Sequence, residues 1–315
     1  MKIAIDAMGG DFAPQAIVEG AILAAKELTN DIKIVLVGIK EAIQKVLDEQ
    51  PQIPTNIEVF HADEVIEMGE HPTKALQQKP KSSINVGFHL LKNNEIQAFC
   101  GAGNTGAMHV GAIFSVKPIE GIMRPCLITH VPKTNGGDSV MLDVGANTDC
   151  KPEMLYQFGV LGRVYCKEVL GIENPRVALM NLGEEAGKGN MDAKEAYQLL
   201  KADEKLNFVG NIEGRDLFLD KTDVIVCDGF VGNVILKMAE SIYEIAAERG
   251  VKDDFINKLN YEAIGGSPIL GVNGNVIIGH GISNAIATKN MILLAYKIAS
   301  ADLNNKIKTA LQNVV

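Results

Sequence analysis

Six apolar runs in this chain end the same way, in a short turn built from Gly, Asn and Asp. Asp6 leads into Ala-Met-Gly9-Gly10-Asp11, Cys100 into Gly101-Ala-Gly103-Asn104-Thr105-Gly106, and Asp143 into Val-Gly-Ala-Asn147. Asn181 leads into Leu-Gly183-Glu184-Glu-Ala-Gly187-Lys188-Gly189-Asn190, Asp228 into Gly229-Phe-Val-Gly232-Asn233, and Ile278 into Gly-His280-Gly-Ile-Ser283-Asn284. Between them lie amphipathic stretches: Ile17, Ala21, Ala24 and Leu28 recur at helical spacing, as do Leu155, Phe158, Leu161 and Tyr165. Strand and helix in alternation predict an α/β chain with a mostly parallel sheet covered by helices on both faces. In such sheets ligands gather at the carboxyl ends of strands, where backbone N–H groups and helix N-termini face an anion. Gly and Asn also accept left-handed backbone, so any single turn reads equally well as plain turn chemistry. Six together point to one shared anion site.

The strands expected on this pattern are Lys2–Asp6, Ile32–Val37, Ile57–His61, Ile96–Cys100, Cys126–Val131, Val140–Val144, Val177–Met180, Phe208–Asn211, Val224–Cys227 and Val276–Ile278. No Pro/Ser-rich linker or repeat divides the 315 residues. We expect one α/β catalytic unit over 1–315, with a two-lobed arrangement around the active-site cleft as its variant. A formal charge of −9 argues against a nucleic-acid binder, which needs a basic face. Cys100, Cys126, Cys150, Cys166 and Cys227 are odd in number and form no CxxC pair, so neither a disulfide framework nor a zinc site is expected. Asp6 interrupts the N-terminal apolar run too early for an export signal, and the charge-free stretches 100–116 and 263–288 are broken by Gly, Asn, Pro and His. A cytoplasmic location, at most peripheral at the inner face of the membrane, is expected.

Individual motifs narrow the chemistry. Gly101 to Gly106 fits the dinucleotide fingerprint GxGxxG, yet the next strand ends His130-Val131-Pro132-Lys133 where a ribose-binding acid belongs. A phosphate or acyl-phosphate cradle suits the same glycines. Gly183 to Asn190 has one residue too few for a P-loop, and Gly189 stands where Ser or Thr should hold magnesium. Lys188, framed by glycines, can neutralise phosphate or a developing oxyanion, or be a solvated loop lysine. Asn233 can cap a helix or aim its amide N–H at a carbonyl oxygen. Asp6, Asp11, Asp143 and Asp228 can be caps, or can position a lysine or a substrate hydroxyl. No GxSxG or HExxH occurs, and the cysteines sit at apolar positions that suit buried thiols.

Asp6 to Asp11, Gly101 to Gly106, Gly183 to Asn190, Gly229 to Asn233, the segment Tyr261-Glu-Ala-Ile-Gly-Gly-Ser-Pro-Ile-Leu-Gly271 and His280-Gly-Ile-Ser283 occur in this order. Together they closely resemble the PlsX family of bacterial phosphate acyltransferases over nearly the whole chain. The resemblance implies a Rossmann-like fold similar to phosphotransacetylases and isocitrate/isopropylmalate dehydrogenases, a homodimer, and no metal or organic cofactor. It implies conversion of acyl-[acyl-carrier-protein] and phosphate into acyl phosphate and free carrier, feeding the membrane glycerol-3-phosphate acyltransferase of phospholipid synthesis. It places catalysis on Lys188 and Asn233. Substrate or phosphate contacts are then expected at Asp6, Gly9, Gly10, Asp11, Gly101, Gly103, Asn104, Thr105, Gly106, Asp143, Asn147, Glu184, Gly187, Asp228, Gly232, His280 and Ser283. Phosphate is a usable nucleophile near neutral pH, so attack on a thioester needs positioning and oxyanion stabilisation rather than a triad.

Two further expectations follow. In many relatives the stretch after the Gly-Asn turn is longer and carries an apolar tip; here Asn233 to Tyr261 is short and rich in charge. Ile235, Met238, Ile242 and Ile245 therefore read as core or dimer seam rather than lipid anchor. An acidic carrier protein approaching an acidic enzyme needs a local basic patch, for which Lys74, Lys79, Lys81, Lys92, Arg124 and Lys133 are the candidates. The alternatives are an acyl-CoA-dependent phosphotransacetylase, a nicotinamide-dependent hydroxyacid dehydrogenase, and a non-catalytic scaffold.

Overall fold

The structure, a computed structural model, describes residues 1–312. Its strands are β1 (Lys2–Asp6), β2 (Lys33–Gly38), β3 (Ile57–His61), β4 (Ala98–Gly101), β5 (Cys126–Pro132), β6 (Asp138–Leu142), β7 (Arg176–Met180), β8 (Asn207–Ile212), β9 (Val224–Val226), β10 (Ser267–Leu270) and β11 (Asn275–Ile278). Its helices are α1 (Gln15–Glu27), α2 (Lys40–Asp48), α3 (Pro72–Gln78), α4 (Ser83–Lys92), α5 (Thr105–Gly111), α6 (Pro152–Leu170), α7 (Met191–Ala202), α8 (Gly229–Glu248), α9 (Asp254–Asn257), α10 (Tyr261–Ile264), α11 (Ala285–Ser300) and α12 (Leu303–Gln312). The chain divides into two compact units, Met1–Pro118 with Tyr261–Ser300, and Ile119–Asn260 with the segment from Ala301 onward.

In the first unit the strand order is β3-β2-β1-β4-β11-β10, parallel throughout except for the antiparallel β10–β11 pair. Ile3, Ala4 and Ile5 of β1 are all fully buried, the pattern of a central strand covered on both faces. Helices α4 and α11 both pack on β1. β10 was not anticipated, because Gly265, Gly266 and Pro268 read as turn residues and Pro cannot donate to a ladder. The chain leaves β1 toward β2 on one side and has β4 on the other, so the turns after β1 and β4 meet at the switch point where such sheets bind ligands.

The second unit orders its strands β5-β6-β9-β7-β8, with only β5–β6 antiparallel among them. Leu155, Phe158, Leu161 and Tyr165 of α6 are buried as their spacing predicts. Along α8 the expectation of core residues holds only at Ile235, which is partly buried against the core of this unit; Met238, Ile242 and Ile245 are exposed by 64%, 39% and 52%. α8 is seated by Gly229 and Gly232 in its first turn and by Val231, Ile235 and Leu236 against the core, while Met238, Ile242 and Ile245 further along lie at the surface. No helix among the described residues is long and apolar enough to cross a membrane.

Candidate active site

The first unit gathers three of the glycine turns. A Cβ on Gly9 would lie 2.5 Å from the Gly103 nitrogen, so the turns after β1 and β4 touch backbone to backbone and glycine is required there. Asp11 donates its N–H to the Gly281 carbonyl at 2.8 Å, which joins the 279–283 turn to the pair. Asp6 is buried beneath them, with Oδ1 accepting the Met8 N–H at 3.0 Å. Burial pushes its carboxyl up to about 6. Gly10 takes a left-handed φ of +101°, and Gly101 packs against Met108. Asp11, Thr105 and His280 are exposed at this end of the sheet.

Two polar residues expected to hold substrate here are used by the fold instead. Asn104 caps α5 by accepting the Ala107 N–H at 3.0 Å, and its amide donates to the carbonyls of Glu67 and Glu70 at 3.0 and 2.8 Å. Ser283, almost fully buried, donates its hydroxyl to the His280 carbonyl at 2.6 Å. Gly106 sits against Pro72 at the start of α3, which closes the same loop.

In the second unit three turns follow β6, β7 and β9. The turn after β6 is organised by Asp143, whose carboxylate is fully buried and accepts five N–H groups. Oδ1 takes those of Leu127, Gly145 and Ala146 at 3.0 to 3.3 Å, and Oδ2 takes the backbone and side-chain N–H of Asn147 at 2.7 and 2.9 Å. Asn147 also donates to the Pro125 carbonyl at 2.8 Å. The expected phosphate contacts at Asp143 and Asn147 are therefore corrected: both side chains are consumed in holding the loop. Against this loop sits the first turn of α8. Gly229 donates to the Asn147 carbonyl at 2.7 Å, and a Cβ on Gly232 would fall 1.9 Å from the Asp143 carbonyl oxygen. Asp228 caps α8 by accepting the Val231 N–H at 2.8 Å. Asn233, expected as a cap or an oxyanion donor, is one turn inside the helix and exposed.

The turn after β7 carries Lys188. Its side chain is half exposed and its Nζ lies 3.9 Å from Glu185 Oε2. Three asparagines not picked out individually from the sequence shape this loop. Asn181 Nδ2 donates to the Lys188 carbonyl at 3.2 Å, Asn211 Nδ2 donates to the Glu185 carbonyl at 2.9 Å, and Asn190 caps α7 by accepting the Ala193 N–H at 2.8 Å. The signal in the sequence was an asparagine at the end of a strand or glycine turn. Glu184 is paired with Lys221 at 3.0 Å and its side chain stays about half exposed, while Gly187 is exposed in open space.

A cavity of about 430 Å³ lies at the carboxyl ends of β7 and β9, walled by the first turns of α7 and α8. Gly189 and Asn190, next to Lys188, form part of one wall; Asp228 and Val231, on the turn that presents Asn233, form part of another. Cys150 and Cys227 reach it as neutral thiols. Burial and the Asp143 carboxylate push Cys150 up to about 12, and burial with Asp228 raises Cys227 well above the ordinary thiol range. Among the described residues no three His, Cys, Asp or Glu are grouped as a metal would require.

Of the basic candidates, Lys74, Lys81, Lys92 and Arg124 are exposed, Lys81 with Asp63 at 3.1 Å. Lys79 is instead a clamp that donates to the Val65 carbonyl at 2.7 Å and pairs with Glu70. Lys133 is buried and held by Asp220 and Asp223 at 2.9 and 2.6 Å, in a cluster that Arg176 completes. Neither Lys79 nor Lys133 is presented to a partner, which corrects both assignments.

Residues 1–306 match a family described as "Fatty acid synthesis protein". A curated relative, the phosphate acyltransferase of Dictyoglomus turgidum, is 45% identical across 100% of this chain and 98% of its own. That of Aquifex aeolicus is 43% identical, over 100% and 98%. Among solved structures, EutD phosphotransacetylase from Staphylococcus aureus aligns over 95% of this chain and 94% of its own, with a TM-score of 0.65 at 16% identity. A branched-chain phosphotransacylase from Enterococcus faecalis V583 aligns over 95% and 99%, with a TM-score of 0.63 at 14% identity. These two carry the likeness of fold.

Proposed function

The chain belongs to the phosphate acyltransferase family described as "Fatty acid synthesis protein", and from that premise we propose that it transfers an acyl group from acyl-carrier protein to inorganic phosphate, releasing acyl phosphate and free carrier thiol. What supports this reading is that Lys188, on the turn after β7, and Asn233, one turn inside α8 after β9, are close in sequence to residues that line one cavity, Gly189 and Asn190 on one side and Asp228 and Val231 on the other. A phosphate oxygen attacks the thioester carbonyl carbon, the C–O bond forms, and the C–S bond breaks as the carrier thiolate leaves and takes a proton from solvent. The Lys188 ammonium neutralises the incoming dianion. The Asn233 amide donates to the carbonyl oxygen as charge builds on it, which matters most where water is excluded.

The same reading includes a homodimer. Met238, Ile242 and Ile245 lie at successive helical spacings on the outer part of α8 and are exposed, a face that a second copy of α8 would cover. Lys74, Lys81, Lys92 and Arg124 remain as docking positions for an acidic carrier.

The test is to incubate the purified chain with lauroyl-carrier protein and phosphate and to trap acyl phosphate with hydroxylamine. The expected result is hydroxamate that depends on both substrates. Hydroxamate from acetyl-CoA but none from the carrier thioester would favour the phosphotransacetylase alternative, which the fold likeness keeps open.

A further inference from the structure

The cavity of the second unit has a composition that selects against one half of the substrate pair and for the other. Leu155, Leu179, Met180, Val231 and Ile235 supply apolar wall. Among its described lining residues there is no Lys or Arg, and the only charged ones are the carboxylates Asp192 and Asp228. A phosphate dianion entering it would meet like charge and no Lys or Arg to offset the loss of hydration, and at the two helix starts the cap side chains of Asn190 and Asp228 already take the Ala193 and Val231 N–H groups. A neutral aliphatic chain meets no such penalty. The thiols do not alter this. Cys227 Sγ donates to the Asp143 carbonyl at 3.3 Å and Cys150 Sγ to the Asn147 carbonyl at 3.6 Å, so both thiol protons are directed into the 143–147 loop. The Asp228 carboxylate is likewise turned to its own helix, where it accepts the Val231 N–H.

We propose that this cavity is the acyl-chain site: the aliphatic tail of the thioester lies between the first turns of α7 and α8, over the ends of β7 and β9. This rests on the phosphate acyltransferase reading and adds to it the residues that set chain-length preference. The volume of about 430 Å³ lies at the lower end of the roughly 300–1,000 Å³ range typical of ligand pockets, so the cavity takes a medium length of chain and then fills. Lys188 and Asn233 flank the cavity in sequence and are not among its lining residues, as expected if the reacting carbonyl stays at the rim while the tail goes in.

Each methylene moved from water into such a site contributes a factor of about four. The kcat/KM for phosphate-dependent thiol release should therefore climb with chain length from butyryl-carrier protein and level off once the cavity is full. Val231→Phe narrows the cavity from α8 and Ala193→Phe narrows it from α7, while Val231→Ala widens it. In the narrowed variants the lauroyl-to-butyryl ratio of kcat/KM should fall by about tenfold or more, and in Val231→Ala it should rise. A ratio unchanged in all three, with each variant melting cooperatively, overturns the proposal.

Binding separates this failure from failure of the functional reading. Dodecyl phosphate and butyl phosphate are titrated calorimetrically into wild type and variants, whether or not they turn over thioester. Tighter binding of the dodecyl compound that is lost in Val231→Phe and Ala193→Phe supports the site even if no thiol is ever released. Equal binding of the two compounds to wild type overturns it even if the enzyme is active.

Discussion

The Asn233 side-chain nitrogen donates a hydrogen bond of 3.4 Å to the carbonyl oxygen of Val144. A primary amide carries two N–H donors, so this contact orients the group through one and leaves the second available to a developing oxyanion. The contact exists because Gly232 lets α8 come down onto the 143–147 loop that Asp143 ties together. Positioning of the proposed donor thus runs from a buried carboxylate, through a loop carbonyl, to an exposed amide.

Lys188→Ala and Asn233→Ala should each reduce kcat by about 10²-fold or more, the range for loss of one oxyanion-stabilising group. Lys188 is about half exposed and Asn233 lies at the surface, so the melting temperatures should stay close to wild type. Near-normal turnover in both variants would move the chemistry elsewhere.

Glycines in the site turns should divide sharply. Gly232→Ala places a methyl carbon 1.9 Å from the Asp143 carbonyl and should destabilise by about 3 kcal/mol while also lowering kcat. Gly187→Ala meets nothing within 4 Å and should cost less than about 1 kcal/mol. Chemical denaturation of the two variants checks the contrast, and equal losses would contradict it.

The same particulars show what a sequence can reveal. The strands and α6 were legible because burial imposes a period, and that period survives in the residues themselves. The polar turns were legible as turns but not by role. An aspartate that ties up five N–H groups, as Asp143 does, is written with the same letters as one that meets a ligand. Lys133 looked like surface charge because its partners Asp220 and Asp223 are 87 and 90 residues away. The exposed stripe of α8 carries a core-like period because apolar spacing is the same on a helix face packed within the fold and on one left at the surface.

Lys133→Met should cost about 3 kcal/mol or more, because it leaves Asp223 buried with one of its two cations gone. It should leave KM for the carrier protein unchanged. Charge reversal at Lys81 or Arg124 should do the opposite, raising the carrier KM several-fold at low salt with little change in stability. Steady-state kinetics beside thermal melts separates the two classes; a raised carrier KM in a folded Lys133→Met protein would restore Lys133 as a docking residue.

Asp6 gives a pH dependence of defined sign. Its folded-state carboxyl is raised from about 3.8 to about 6 by burial, so the folded protein keeps a proton that the unfolded chain releases. The stability this group contributes is complete below about pH 4 and is lost as pH rises through 6, by up to about 3 kcal/mol. Asp6→Asn retains an acceptor for the Met8 N–H and cannot titrate. The variant should gain stability relative to wild type between pH 4 and pH 7, measured by thermal melts across that range. A constant difference between the two proteins would show that Asp6 does not titrate there.

In this mechanism phosphate attacks the thioester directly, with no acyl-enzyme. Direct attack is tested by following free carrier thiol in a rapid-mixing experiment, with enzyme close in concentration to lauroyl-carrier protein, in the presence and absence of phosphate. Neutral, buried Cys150 and Cys227 cannot form an acyl-enzyme readily, so no thiol should appear until phosphate is added. Thiol and acyl phosphate should then rise together in equal amounts, and this rise should be suppressed in Lys188→Ala and Asn233→Ala. A burst of thiol equal to the enzyme concentration without phosphate, or no release under either condition, would rule out direct attack by phosphate.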